Sequence, residues 1–509
     1  TLHRDFEFMF KEYVKKINSA DLYDLVLKTP VNFASSLSKR LNNTIFVKRE
    51  DLQPIFSFKL RGAYNKLKNL SKKELAKGVI AASAGNHAQG VALAAQKLKS
   101  KAVIVMPVTT PEIKVDAVRS KATVILHGDT YDEASDFAQH LAQERGYIYI
   151  HPFDDKEVII GQGTIGYEIH KQIDKQIDYL FVPVGGGGLC AGVAAYVKSI
   201  SPSTKIIAVE SDDAACLREA MLNGEPTKLS SVGLFADGTA VAKIGTNTFE
   251  VLKELVDDIV LVSTDEICSA IKDIYNEFRA ISEPSGAMGL AGLKKFVIQN
   301  SISQHTLVTI QCGANIDFDR FRYISERTEV GEKKEAILAV TLVEEKGSFQ
   351  KFCGVLDDRV ITEFNYRHNG EQNAQVFVGV KVDSDSDREK LIQKLTGLNY
   401  PVKDLTDSEM AKSHVRYMVG GRSPTISAEQ VFRVEFPEKP NALHKFLIHL
   451  GGKFDITMFH YRNHGSAFGK VLVGFRCGAE DRDSITQIFE QLNYPSKNET
   501  QSEAYKFFL

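Results

Sequence analysis

The chain has 509 residues, with 63 Lys and Arg against 65 Asp and Glu, a formal charge of −2, 43% hydrophobic and 25% charged residues. That composition suits about three or four globular domains and argues against a basic nucleic-acid surface. No apolar stretch reaches the roughly 20 residues that span a bilayer, and the six cysteines stand singly, which fits free thiols in a reducing compartment better than a disulfide framework or a zinc site.

Along the chain, residues 1–16 mix Arg4, Asp5, Glu7, Lys11 and Glu12 into their apolar pattern and read as a poor secretory signal. From about Lys48 to Phe318, short apolar runs predict strands over 79–82, 102–106, 147–150, 179–184, 206–209 and 307–311. Helical spacing falls between them, over 87–98, 113–118, 131–145 and 189–200. This alternation predicts an α/β parallel sheet with helices on both faces, whose ligands bind at the carboxyl ends of strands. Residues 326–334 are charged and read as a linker. Beyond them the chain repeats itself. Glu345-Lys346-Gly347-Ser348 returns as Glu438-Lys439-Pro440-Asn441, Phe364-Asn365-Tyr366-Arg367 as Phe459-His460-Tyr461-Arg462, and Leu398-Asn399-Tyr400-Pro401 as Leu492-Asn493-Tyr494-Pro495. Each copy predicts a ferredoxin-like βαββαβ unit, with last strands placed over 415–419 and 504–508, serving regulation or assembly.

Four motifs carry chemistry. Ser57-Phe58-Lys59-Leu60-Arg61-Gly62-Ala63 opens a helix predicted to be N-capped by Ser57, with Lys59 in its first turn. Partial positive charge there disfavours an ammonium, and a neutral amine is what Schiff-base formation requires; the plainer alternative is a solvated surface lysine. Ser83, Ala84, Gly85, Asn86 and His87 follow a strand and begin a helix, so their N–H groups suit a carboxylate. Asn86 offers an amide to a ring hydroxyl, and His87 is read as structural rather than as the base. Gly185, Gly186, Gly187, Gly188 and Leu189 lie between strand and helix, where four glycines let the backbone close on a phosphate. The spacing is neither a Walker pattern nor a Rossmann fingerprint. Cys312 ends a strand in Gln311-Cys312-Gly313-Ala314-Asn315, where it is either an inert buried thiol or a neutral partner for a heterocyclic nitrogen.

Taken in order, these motifs resemble fold-type II pyridoxal-phosphate (PLP) enzymes of the tryptophan synthase β type. Together with Ser282-Glu283-Pro284-Ser285-Gly286-Ala287, Val232-Gly233-Leu234-Phe235-Ala236-Asp237-Gly238 and the duplicated tail, the chain resembles the biosynthetic threonine deaminases with paired ACT-like domains. The resemblance implies that Lys59 carries the cofactor and then removes the substrate α-proton, that residues 185–189 hold the phosphate, that Asn86 bonds the 3′-oxygen, and that Cys312 faces the pyridine nitrogen. Residues 83–87 would hold the substrate carboxylate. The β-hydroxyl would leave, protonated by the cofactor phosphate, and aminocrotonate would hydrolyse to 2-oxobutanoate and ammonia. Ala84 replaces the serine of serine racemases, which disfavours racemisation. Glu210 matches a metal ligand of some relatives, but Cys216 stands where the aspartate would be, so no metal site is expected. Asp237 replaces a more usual glutamate.

The domains implied are a catalytic domain over 1–325, with a smaller subdomain inserted over roughly 48–150, a linker over 326–335, and ACT-like α+β domains over 336–420 and 426–509. The resemblance further implies a carbon–nitrogen lyase of isoleucine biosynthesis, inhibited by isoleucine and opposed by valine, with L-serine as a side substrate, acting as a cytoplasmic homotetramer without membrane or nucleic-acid partners. The rival readings are a serine/threonine dehydratase of broader specificity, a β-replacement enzyme and a catalytically dead amino-acid sensor.

Overall fold

The computed structural model describes the chain apart from residues 1, 109, 111, 130, 319, 357–358, 369, 371, 409–410, 413–414, 418–422, 424–425, 427, 438–441, 451, 463–467, 493, 503–504 and 506–509. It divides into two compact units, Thr1–Thr328 and Glu329–Leu509. None of its described helices is long and apolar enough to cross a membrane.

The first unit holds two sheets. A six-stranded sheet runs Val31–Phe33, Thr44–Arg49, Thr306–Gln311, Tyr179–Pro183, Lys205–Ser211, Asp258–Val262, parallel except for its first edge strand. A four-stranded parallel sheet runs Thr123–Leu126, Ala102–Met106, Val79–Ala82, Ile148–Tyr149. The central strands are apolar without alternation because both faces are covered: all four residues of Val79–Ala82 and all five of Ala102–Met106 are buried. The strands at 31–33, 44–49, 123–126 and 258–262 were not anticipated; Asn32, Lys48 and Arg49 interrupt the first two, and Thr123 and Asp258 leave the others with apolar runs of three and four residues.

Three expectations are corrected. The lysine helix is Lys59–Lys68, with Phe58 rather than Ser57 at its cap; the Ser57 hydroxyl only accepts a 3.4 Å bond from the Lys59 N–H. Residues 326–331, at the division between the two units, are not irregular but form the end of the helix Arg320–Gly331. Its charges hid a packed face: Ile324 is buried in the core, and Arg327 is buried and pairs with Asp265 at 2.5 Å. The last strand of each repeat lies earlier than expected. Val402–Asp404 and Ser496–Asn498 directly follow the repeated Leu-Asn-Tyr-Pro and pair with the first strand of each copy. Val415–Tyr417 is instead a 3-10 turn, because Leu405, Ala411 and Val415 fold over Ile337 and Phe377 on the sheet face. Of the other expected strands, 418–419 and all of 504–508 except Tyr505 lie outside the described residues.

In the second unit the two copies merge into one eight-stranded antiparallel sheet. The join is between their equivalent second strands, where Phe364 faces Tyr461, Asn365 faces His460 and Tyr366 faces Phe459. Because Phe364 and Tyr366 are the repeat counterparts of Phe459 and Tyr461, the pairing is self-complementary, as at a two-fold interface.

A buried cluster anchors the lysine helix. The Arg61 guanidinium bonds Glu50 through Nε at 2.8 Å and Glu168 through Nη1 at 2.7 Å, and Lys48 Nζ bonds Glu168 at 2.6 Å. These side chains are 0–2% exposed. They tie the helix to the strand Thr44–Arg49 and to the helix Lys156–Gln172. Arg61→Ala would leave two buried carboxylates facing a single cation. It is expected to cost about 3–5 kcal/mol, seen as a lower urea midpoint for unfolding; an unchanged midpoint would show that the cluster is already hydrated.

Candidate active site

Lys59 stands at the first turn of its helix, and its Nζ donates to the Pro152 carbonyl at 2.9 Å. Burial is the main reason its pKa falls to about 8, against weaker opposing pulls from Cys312 and Glu283. The helix position that suggested a neutral amine is therefore secondary to desolvation. The helix Asn86–Lys97 packs on it at Gly90, where a Cβ would lie 3.3 Å from the Lys59 carbonyl oxygen. Gly90, three residues after His87, is thus there for close approach.

The loop after Ile148–Tyr149 joins the parts. Ile150 O accepts from His87 Nε2 at 2.8 Å. His151 Nδ1 accepts from the N–H groups of Phe153 and Asp154, at 3.2 and 2.8 Å. Pro152 supplies the lysine's acceptor, and the Phe153 ring lies where a Cβ on Gly186 would be, at 2.2 Å. The next residue after the lysine's partner therefore packs against the glycine turn. Among the described residues, Gly185, Gly186 and Gly187 donate to no backbone carbonyl, and Gly187 has φ +93°. The turn leads into the helix Gly188–Ile200, whose first N–H groups have no intrahelical acceptor. Unpaired donors at a helix start suit a phosphate.

Asn86 is clamped: its Nδ2 donates to Glu283 Oε1 at 2.8 Å and its Oδ1 accepts from Asn315 Nδ2 at 2.6 Å. This holds the amide rigid and leaves a second Nδ2 hydrogen for a ligand. Glu283 is buried, and that burial, aided by Asp237, pushes its carboxyl up to about 8. Cys312 is buried, donates to Ser285 O at 3.4 Å, and is held well above the usual thiol range by burial. It is a neutral donor rather than a nucleophile. His87 is buried with its Nδ1 unpaired, and burial brings it down to about 3, so it is uncharged at neutral pH and a weak base. Ser83 Oγ accepts from the Gly85 N–H at 3.2 Å, and the space beside Gly85 is open, with nothing within 4 Å of an added Cβ. Ala84 lies in the same loop, half-buried. Glu210 accepts from the N–H groups of Leu217 and Arg218, at 2.7 and 2.9 Å, and Cys216 Sγ donates to Gly185 O at 3.3 Å. Asp237 pairs with Lys114 at 3.0 Å.

Glu283, Asn315 and the His151-to-Asp154 loop were not assigned roles from sequence. The signal was present, since each follows a strand or opens a helix on the same side as the glycine turn. An amine whose pKa is lowered by burial, joined through one loop to a glycine turn with unpaired backbone N–H groups, is how an enzyme holds an aldehyde cofactor on a lysine.

Comparisons with known proteins agree. Residues 22–313 match the family of pyridoxal-phosphate dependent enzymes, and residues 326–415 and 420–509 each match the C-terminal regulatory domain of threonine dehydratase. The chain is 50% identical to the biosynthetic L-threonine dehydratase IlvA of Pasteurella multocida, over 98% of this chain and 97% of that one. It is 49% identical to the Escherichia coli IlvA, with the same coverage. Among solved structures, the processed form of threonine deaminase isoform 2 from Solanum lycopersicum superposes with a TM-score of 0.62 at 50% identity, covering 63% of this chain and 93% of that one. Serine racemase from Dictyostelium discoideum gives 0.55 at 34%, covering 61% and 98%. The chain belongs to the pyridoxal-phosphate-dependent enzymes and, within them, to the biosynthetic threonine dehydratases with a duplicated regulatory domain.

If burial is what lowers the pKa of the amine, the rate at which the cofactor-free protein captures pyridoxal phosphate should rise with pH around a midpoint near 8. A midpoint near the ordinary lysine value, read from the growth of visible absorbance, would mean that Lys59 is solvated.

Proposed function

We propose that the chain deaminates L-threonine to 2-oxobutanoate and ammonia, the entry step of isoleucine biosynthesis, with L-serine as a side substrate. The observation that carries this reading is the buried Lys59 amine, its pKa lowered to about 8, held by Pro152 one residue from the phenylalanine that backs the tetraglycine turn. Pyridoxal phosphate, when bound, supplies an electrophilic carbon and a conjugated ring that accepts electrons from the substrate α-carbon. Gly185, Gly186, Gly187, Gly188 and Leu189 hold its phosphate with backbone N–H groups. Asn86 donates to its ring oxygen, fixed from behind by Glu283 and Asn315. Cys312 offers the ring nitrogen a neutral thiol.

Ser83, Ala84, Gly85, Asn86 and His87 receive the substrate carboxylate in the open space beside Gly85. Lys59 takes the α-proton as general base, a role its lowered pKa suits at neutral pH. Ala84 has no proton to give to the opposite face, so α-proton loss leads to elimination of the β-hydroxyl. The enamine product then hydrolyses in water. Lys59→Ala is expected to lower kcat by at least about a thousandfold, as loss of a covalent and general-base residue does, without shifting the thermal melt of the cofactor-free protein. Substantial 2-oxobutanoate from this variant would remove Lys59 from the mechanism. In the same assay kcat/KM for threonine should exceed that for serine by about 10-fold, the worth of one methyl in a pocket.

The second unit is read as the sensor of isoleucine, with valine opposing it. A cavity of about 120 Å³ between the two repeats supports this. Phe349, Leu447 and Leu450 line it together with Glu344, His368 and Arg476. Arg476 donates to His368 Nε2 at 2.9 Å, and His368 Nδ1 donates to Glu344 at 3.0 Å. Its lining sets apolar Phe349, Leu447 and Leu450 beside charges of both signs, Arg476 and Lys346 against Glu344, Glu345 and Asp455, a mixture that suits a zwitterionic branched amino acid. Arg476→Ala should raise the isoleucine concentration for half-inhibition about tenfold or more, the worth of a charge-assisted hydrogen bond, and leave uninhibited turnover unchanged. Unaltered inhibition would move the effector elsewhere. A homotetramer and a cytoplasmic location belong to the same reading. They are supported by exposed apolar side chains such as Leu234 and Phe318, and by six buried cysteines without disulfides.

A further inference from the structure

The glycine turn is held from outside by a residue that touches neither the turn nor the lysine. Asp154 caps the helix Thr246–Leu255: its Oδ1 accepts from the N–H groups of Asn247 and Thr248, at 2.7 and 3.2 Å, and its Oδ2 accepts from Thr246 at 3.0 Å. That grip places the Thr248 hydroxyl, which donates to the Gly186 carbonyl at 2.7 Å, and the Gly245 N–H, which donates to the same carbonyl at 3.3 Å. Thr248 also lies 2.9 Å from where a Cβ on Gly187 would stand, so it packs beneath the left-handed residue of the turn. Two residues before Asp154, Pro152 holds Lys59, and His151 Nδ1 ties the loop into a single turn by accepting from Phe153 and Asp154. One short loop thus grips the amine at one end and, through a helix cap, the glycine turn at the other.

We propose that Asp154 is a positioning residue for cofactor binding: through Thr248 it orients the Gly186 peptide, so that the N–H groups of the turn converge on a phosphate at the reach of Lys59. With the Gly186 carbonyl drawn outward by two donors, the adjoining N–H groups face inward. The inference rests on the assignment of the turn to the phosphate. It predicts a defect specific to the phosphate end of the cofactor and not to its aldehyde end, which a general loss of stability would not produce.

The test uses the full chain stripped of cofactor and titrated with pyridoxal phosphate and, separately, with pyridoxal, followed by visible absorbance. Asp154→Ala should weaken pyridoxal phosphate about tenfold, as one lost hydrogen-bonded constraint would, and leave pyridoxal unchanged. Asp154→Asn, which keeps one accepting oxygen, should recover part of that loss. Thr248→Val leaves the Asp154 cap intact and removes the hydroxyl that bonds the Gly186 carbonyl and, at 3.1 Å, the Gly245 carbonyl at the start of its own helix; it should reproduce the selective loss, and it decides the matter if Asp154→Ala fails to fold. Equal weakening of both aldehydes, or no weakening by Thr248→Val, overturns the proposal. Gly186→Ala serves as the separate control: if it does not weaken pyridoxal phosphate relative to pyridoxal, the assignment of the turn to the phosphate is what fails.

Discussion

A lysine amine can attack a carbonyl or take a proton from carbon only while it is uncharged, and in water at neutral pH it is not. The fold eases this by desolvation: Lys59 is enclosed and its pKa falls to about 8, so near neutral pH the uncharged form is far more accessible than in a free lysine, and a carbonyl oxygen rather than a carboxylate receives its hydrogen bond. A carboxylate at that position would have held the ammonium form. The neighbours obey the same constraint. Glu283 and Cys312 are kept toward their neutral forms by burial, and His87 is kept uncharged. The candidate site therefore carries little negative charge of its own, an environment that would suit an anionic phosphate against backbone dipoles.

Charge is concentrated instead one layer back. Arg61, two residues along the lysine helix, is locked between Glu50 and Glu168, with Lys48 completing the cluster. Such a cluster adds little net stability over apolar packing. Its geometry is demanding, though, and it fixes the helix against two other elements at once. The separation of labour is consistent throughout: ionic groups position the scaffold, while neutral groups face the reacting centre.

The regulatory unit follows different logic. Two copies of one βαββαβ pattern share a continuous sheet through a self-complementary strand pair, so each copy is the other's edge protection. The cavity between them draws residues from both copies: Glu344 and His368 from the first, Leu447 and Arg476 from the second. Because residues of both halves line it, the shape of this cavity depends on how the halves sit together.

Much of this was legible in the chain. Apolar runs located the central strands nearly to the residue, since a parallel strand covered on both faces leaves an unbroken signature; Ala102–Met106 is one case. The duplicated motifs revealed the repeats, because the repeated side chains do the same packing twice. The lysine, the glycine turn and the asparagine could be proposed for the site from the chain alone because each proposal rests on a property of the residue itself: an amine, a missing Cβ, an amide. What tertiary structure alone decided were properties that belong to neighbours. Charged residues in 326–331 concealed a buried helical face, and the short strands after the repeated Leu-Asn-Tyr-Pro carry too little apolar pattern to announce themselves. The pKa of Lys59, the clamp on Asn86 and the loop that spans from amine to glycine turn all depend on which distant segments meet. Local sequence encodes the periodicity of an element, but burial and partners are set by long-range packing, which no single stretch of chain contains.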